Sequence, residues 1–306
     1  MKLLIVCSYN NGRISPFVKE QVNSLKKLGV SIKYFKVRGK GALGYLKNLP
    51  RLINETRSIK YDLIHAHYGY CGILALLQIK IPVICTFHGS DVHNLNERLL
   101  SLVISRFTKH NILTNKKQIQ KLALKKRYSV IKCGIDLNIF KPLDKRWCKE
   151  KFGLSDKKRH ILFSSSFSNQ VKNASLAKRA IGKLKSHDIN FIELRDYSRK
   201  EVAELLNAVD LLLVTSNNET GPLILKEALA CNTPVVSTNV GDALELLSEC
   251  KNGFISNPTP DEIADKIIEI LEWSERKHSR QVVEKYSLEN VAKRLNSLYN
   301  TLIKQN

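Results

Sequence analysis

Short apolar runs rich in β-branched residues alternate along the chain with longer stretches in which apolar residues return every three to four positions. The run KLLIVCS at 2–8 predicts a buried strand, 15–28 a helix stopped by Gly29, and 31–37 a second strand. A helix is expected over 45–59, a strand over 62–66 and another over 82–87. The resulting β-α-β-α-β order predicts a parallel sheet covered by helices on both faces.

The pattern then restarts. After Gly134-Ile135-Asp136, the stretch Phe140-Lys141-Pro142 reads as a linker. Strands are expected over 160–165, 189–194 and 211–215, with helices over 174–186 and 198–208 between them. A helix beginning near Pro222, a strand over 234–238 and a helical tail over 288–304 follow. Domains are therefore expected at 1–140 and 141–287, with 288–306 a C-terminal helix. No short-period repeat or low-complexity segment interrupts this order.

Composition agrees with two lobes. A chain of 306 residues with 43% hydrophobic and 25% charged residues has enough apolar material for two ordinary cores. Lysine and arginine total 50 against 28 acids, a formal net charge of +22, which favours anionic partners: nucleic acid, anionic lipid or phosphorylated substrates. The charge is spread in short knots such as Lys116-Lys117, Lys125-Lys126-Arg127 and Lys157-Lys158-Arg159, each of which reads equally as a solvated surface. No nucleic-acid recognition module or zinc-finger spacing is present, so nucleic acid is not the expected partner. Seven cysteines without a C-x-x-C pair, several in apolar runs, predict reduced and mostly buried thiols and a cytoplasmic protein. The N-terminal apolar run is too short for a signal peptide, and none reaches the roughly 18 residues of a membrane span, so membrane contact is expected to be peripheral.

Three motifs invite chemistry. GKGALG at 39–44 satisfies G-x-G-x-x-G, but it follows the second strand and lacks an acid at the end of the next one, so it reads as a flexible basic loop rather than a dinucleotide site. His65-Ala66-His67 and His88-Gly89-Ser90-Asp91-Val92-His93 do not match a zinc spacing; they follow apolar strands, where open α/β sheets bind ligands. The third motif is NNETGPLILKEALACNTPVVSTNVGD at 217–242. A strand empties into a loop, Gly221 permits close approach to the main chain, and Pro222 suits the first helical position. The helix terminus attracts phosphate. Glu227, and Glu219 on the loop, each have the acceptor pair needed to bind vicinal hydroxyls. Together they describe a nucleotide sugar; the alternative is that Glu219 is solvated and Glu227 pairs with a lysine.

The segment 219–227, with seven residues between its acids, resembles the E-x7-E signature of retaining glycosyltransferases of family 4. HAHYG at 65–69, TFHGSD at 86–91, CGIDLNIFKP at 133–142, VKNASLA at 171–177 and NAVDLLLVTS from 207 occur in the order expected of that family. The resemblance implies a GT-B fold of two facing Rossmann-like α/β domains, with the donor in the second, the acceptor in the first and the C-terminal helix packing back toward the first. By the same resemblance Glu227 holds the donor ribose, Glu219 contacts the donor sugar, and Lys172 neutralises the diphosphate. Gly221, Pro222, Leu223 and Ile224 line the phosphate site, and His88 faces the donor sugar. Asn11, Gly12 and Asp91 are acceptor-side candidates. No metal and no cofactor is expected, since a lysine and a helix terminus supply the electrostatics.

Three departures stand out, one of them Thr220 directly after Glu219, where the family commonly has glycine. Phe167, in SSSFSNQVK, occupies a position where the family commonly carries arginine, and Asn10-Asn11-Gly12 replaces a glycine pair in the first loop. The expected function is that of a hexosyltransferase moving a sugar, with retention, from a nucleotide diphosphate sugar to an acceptor hydroxyl. UDP is the first choice of nucleotide. The acceptor is expected on a lipid-linked or cell-surface glycan precursor, as in bacterial lipopolysaccharide or capsule assembly, at the inner face of the cytoplasmic membrane. The basic surface suits contact with anionic lipid there, with 10–19 and the loop at Lys40 as candidates for acceptor or membrane contact. The rivals are a catalytically silent nucleotide-sugar binder of the same fold and an NAD-dependent oxidoreductase.

Overall fold

The computed structural model describes residues 1–10, 12–184 and 188–305. Two compact units are present: Met1–Gly134 with Leu288–Asn306, and Ile135–Ser287. Both are Rossmann-like α/β units built on parallel sheets.

The first unit contains six parallel strands: β1 (Lys2–Ser8), β2 (Ser31–Val37), β3 (Leu63–His67), β4 (Val83–Phe87), β5 (His110–Leu113) and β6 (Tyr128–Val130). Their spatial order is β2-β1-β3-β4-β5-β6. Alternate side chains of β1 enter different cores, because successive Cβ atoms point to opposite faces. Leu4 and Val6 join Ile64, Leu74 and Phe87 on one face. Leu3 joins Leu63, Ile84, Leu295 and Tyr299 on the other. Burial on both faces is why β1 carries five consecutive apolar residues. The Leu288–Lys304 helix belongs to this unit, and its Tyr299 hydroxyl lies 2.8 Å from His65 Nδ1.

The second unit contains β7 (Arg159–Phe163), β8 (Ile189–Glu193), β9 (Leu211–Val214), β10 (Val235–Thr238) and β11 (Gly253–Ser256), ordered β11-β10-β9-β7-β8. One face packs on Leu225, Ala228 and Leu229 of the Leu223–Ala230 helix. The other packs on Ala177, Ala180 and Ile267.

Several expectations need correction. The second unit starts at Ile135, not after Phe140: both side chains enter its core, and Arg280 donates to the carbonyls of Phe140 (2.5 Å) and Leu137 (2.7 Å). The expected linker is thus core. The helix expected at 45–59 is two, Gly41–Leu46 and Leu49–Ser58, with Pro50 in the first turn of the second. GKGALG is accordingly part helix rather than loop. A Cβ on Gly39 would lie 2.4 Å from the Gly44 carbonyl oxygen, so these glycines serve backbone packing. The helix expected at 174–186 is Ala174–Ile181; Ser186 lies outside the described residues.

Candidate donor and acceptor sites

In the second unit the residues singled out in 217–242 converge beyond the carboxyl ends of β7, β9 and β10. Thr215, just past β9, donates through Oγ1 to the carbonyls of Lys172 (2.9 Å) and Asn173 (3.0 Å). Asn217 N–H donates to the Val171 carbonyl at 2.9 Å. These bonds pin the Gln170–Lys172 turn against the loop after β9, which brings residues about 47 positions apart into contact. Lys172 Nζ pairs with Glu219 Oε1, and Ser216 Oγ donates to the same oxygen at 3.0 Å. The two groups assigned to the diphosphate and the sugar thus neutralise each other, and both remain partly exposed.

Glu227 has a different environment. Its buried carboxylate forms an ion pair with Arg199 Nη1 at 2.6 Å. The partner of Glu227 is therefore an arginine, where the alternative sequence reading expected a lysine. Arg199 opens the Arg199–Ala208 helix behind a capping box made by Ser198 and Glu201. Its guanidinium also lies over the Phe140 ring, 4.6 Å from the centroid. Ser198-x-x-Glu201 marks this helix start in the sequence, but nothing local ties Arg199 to Glu227.

The helix itself begins at Leu223. This is one position later than expected, and Pro222 is its cap, with φ −64° and an extended ψ of 111°. Proline has no N–H, so Pro222 shapes the terminus while Leu223 and Ile224 carry first-turn N–H groups that lack intrahelical acceptors. Gly221 lies against a buried ion pair, Lys226 Nζ to Asp242 Oδ2 at 3.0 Å. A Cβ on Gly221 would sit 3.3 Å from Asp242 Oδ1 and 3.4 Å from Lys226 Nζ. Gly241, at φ +57°, closes the same floor, since a Cβ there would reach Pro222 Cδ at 2.9 Å. Lys226 and Asp242 are a pair that periodicity hides: a lysine in an apolar helix reads as an outward-facing residue.

Phe167 turns into the core beside Phe163 and Phe191, at centroid distances of 5.4 and 5.1 Å. Lys178 Nζ lies 4.5 Å from its centroid.

The first unit gathers a separate cluster where β3 and β4 end. His67 Nδ1 meets His88 Nε2 at 2.9 Å, and the rings stack with centroids 5.2 Å apart. His65 stacks on His67, and its nitrogens meet Tyr299 Oη and Thr86 Oγ1 at 2.8 and 2.7 Å. His88 also contacts Phe17 and Tyr68, and its Nδ1 lies 4.0 Å from Cys133 Sγ. Burial lowers the pKa of all three histidines, that of His67 to about 3. They are neutral at pH 7. The ring nitrogens of His88 thus face protein groups, while the sequence points to a residue facing sugar.

Asp91 Oδ1 accepts from Gly89 N–H at 2.8 Å, and burial raises its pKa to about 7. It lines a cavity of about 290 Å³ with Tyr45, Tyr68, Ser90 and Glu97. Gly12, at φ +67°, borders a second cavity of about 430 Å³ with Arg38 and Lys40. Asn11 lies outside the described residues. None of the seven cysteines forms a disulfide among the described residues, and five are buried. Among the described residues no helix is long and apolar enough to cross a membrane.

Comparison with known proteins gives these arrangements a context. Residues 14–139 match the family model described as Glycosyltransferase Family 4, and residues 190–289 that described as Glycosyl transferases group 1. An uncharacterised glycosyltransferase of Methanocaldococcus jannaschii is 26% identical over 288 residues, covering 85% of this chain and 81% of its own length. Sucrose-phosphate synthase of Thermosynechococcus elongatus superposes with a TM-score of 0.83 at 16% identity, covering 100% of both chains. HepE of Anabaena, in complex with UDP and glucose, superposes at 0.78 with 16% identity, covering 98% of this chain and 100% of its own.

Proposed function

Starting from a glycosyltransferase of the GT-B fold, as the two family matches and the two parallel-sheet units make this chain, we propose that it transfers a hexosyl group, with retention, from a UDP-sugar to an acceptor hydroxyl. The observation that carries the donor assignment is the arrangement at the Leu223–Ala230 helix. Lys172 and Glu219 pair beside its first turn, and Glu227 is fixed within it by Arg199. A diphosphate entering this site exchanges Glu219 for phosphate as the partner of Lys172. Glu219 is then released to accept hydrogen bonds from sugar hydroxyls.

The main-chain N–H groups of Leu223 and Ile224, together with the helix dipole, add to the positive field on the phosphates. HepE, a protein of the same fold, is described with UDP, which supports UDP as the nucleotide here. In the proposed step the bond from the anomeric carbon to the diphosphate oxygen breaks as Lys172 stabilises the departing charge. The acceptor oxygen bonds to the same face, and its proton passes to the leaving phosphate oxygen. No resident metal or cofactor takes part. Donor atoms fixed in advance toward developing charge are worth about 3–4 kcal/mol each in such sites.

The acceptor is proposed to be a lipid-linked or cell-surface glycan precursor, used at the cytoplasmic face of a bacterial membrane. The cavity lined by Asp91, Tyr45 and Tyr68, with its hydroxyl and carboxylate groups, suits a polyol. The competing reading, a silent nucleotide-sugar binder, rests on Phe167, which supplies no charge where the family's arginine would. Purified protein incubated with UDP-sugars and extracted lipid-linked saccharides separates the two. Free UDP with an α-linked product from an α-linked donor supports retaining transfer; tight UDP binding without turnover supports the silent binder.

A further inference from the structure

The first unit carries an unpartnered apolar surface that neither the donor site nor the acceptor cavity uses. On the Leu95–Phe107 helix, Leu95, Leu99, Val103 and Phe107 are 64, 59, 51 and 70% exposed. Their four-residue spacing keeps them along one side, while Ser101, Ile104 and Ser105 face the core. Next to this helix, Val103 and Phe107 line an apolar groove of about 550 Å³ with Leu77, Ile79 and Ile81.

Ile79 at this rim is the most informative residue. It is 88% exposed and has φ +54°, the left-handed region that a β-branched side chain adopts only at a cost of roughly 1–3 kcal/mol. Glycine or asparagine would relieve that strain, and either would remove apolar surface from the tip. An apolar side chain held out at such cost indicates that the tip is covered by something apolar.

Charge narrows the choice of cover. Between positions 68 and 132 there are only two acids, Asp91 and Glu97, against eleven lysines and arginines. Lys80 adjoins Ile79 in sequence, Lys109 lines the groove, and Arg127 Nη2 donates to the Arg106 carbonyl at the end of the helix. Apolar side chains ringed by cations match an anionic bilayer, whose acyl chains accept the stripe while its headgroups pair with the rim.

We propose that the surface formed by Ile79, Leu99, Val103 and Phe107, with its basic rim, docks the first unit on anionic lipid. This rests on the reading of a lipid-linked acceptor, and it places the contact away from 10–19 and Lys40, where the sequence suggested it.

The test is vesicle sedimentation of the whole chain with phosphatidylglycerol–phosphatidylcholine vesicles and with phosphatidylcholine alone, at low and high salt. Wild type should pellet with the anionic vesicles and keep part of its binding at high salt. A triple variant, Ile79→Asn with Leu99→Gln and Phe107→Gln, should lower the partition about tenfold or more. Lys80→Gln with Lys109→Gln should lower it about fivefold per charge, at low salt only.

Melting temperature with and without UDP is read on every variant. An unchanged UDP shift shows that the variants fold, and it separates this surface from the donor assignment, which is tested by the shift itself. The proposal is overturned by wild type that does not pellet, or by triple-variant binding equal to wild type. A wild-type dimer that the triple variant dissociates, without vesicle binding, would overturn it in favour of a second copy of the chain.

Discussion

Lys172 and Glu219 form an ion pair across 47 residues of sequence, beside the first turn of the Leu223–Ala230 helix. Each silences the charge of the other. The proposed donor site is thus electrostatically balanced before a ligand arrives, and binding of a diphosphate as proposed would be an exchange of partners. Lys172→Ala should lower kcat about 100-fold or more, because it removes a charge aimed at the leaving group. Stability should change little, since a partly exposed pair contributes at most about 1 kcal/mol. Steady-state kinetics with urea unfolding checks both halves.

Arg199 and Glu227 present the opposite case. The Glu227 side chain is only 3% exposed, so removing Arg199 takes the paired cation away from a buried carboxylate. Arg199→Met should destabilise the protein by about 3 kcal/mol in urea unfolding. Glu227→Gln should cost less stability, because no charge is left buried at that position, while still weakening UDP binding.

Gly241 forms part of the floor under Gly221 and Pro222. Gly241→Ala combines a left-handed φ with a contact of 2.9 Å to Pro222 Cδ. The 221–223 backbone must move to admit it. UDP affinity measured by calorimetry should fall by about tenfold or more, with a stability loss of about 1–3 kcal/mol.

The histidine stack predicts a pH response. His65, His67 and His88 have pKa values lowered in the folded state, so the unfolded chain binds more protons as pH falls below about 6.5. Folding stability should therefore decrease from pH 6.5 toward pH 4. Asp91 acts in the other direction: its pKa of about 7 makes the folded state take up a proton between pH 7 and 4, which offsets part of that loss. His67→Gln should flatten the stability curve by about 1.4 kcal/mol per pH unit, and Asp91→Asn should steepen it. Urea unfolding at several pH values measures both slopes.

How much of this was legible in the sequence follows from whether the cause was local. The strands Lys2–Ser8 and Ser31–Val37 and the helix Leu288–Lys304 coincide with their expected bounds, because continuous burial and amphipathic period are written in neighbouring residues. The short strands His110–Leu113, Tyr128–Val130 and Gly253–Ser256 were not visible; they are held by pairing with neighbouring strands of the sheet rather than by their own three or four residues. The motif 217–242 pointed to Glu219 and Glu227 but not to their partners. Arg199 and Lys172 reach them across the sheet edge, and Lys226 and Asp242 meet inside the helix floor. Periodicity reports which face a residue takes, and it says nothing of which charge waits there.

The central claim is that the Leu223–Ala230 helix terminus, with Lys172 and Glu227, holds a uridine diphosphate. The most direct measurement is a thermal-shift comparison of UDP, GDP, ADP and NAD on wild type and on Glu227→Gln. Ligand at 100 times its dissociation constant stabilises by about 2.7 kcal/mol, a readily visible rise in melting temperature. The account predicts a rise with UDP that is largely lost in Glu227→Gln. No rise with any diphosphate, or a rise with NAD alone, would contradict it.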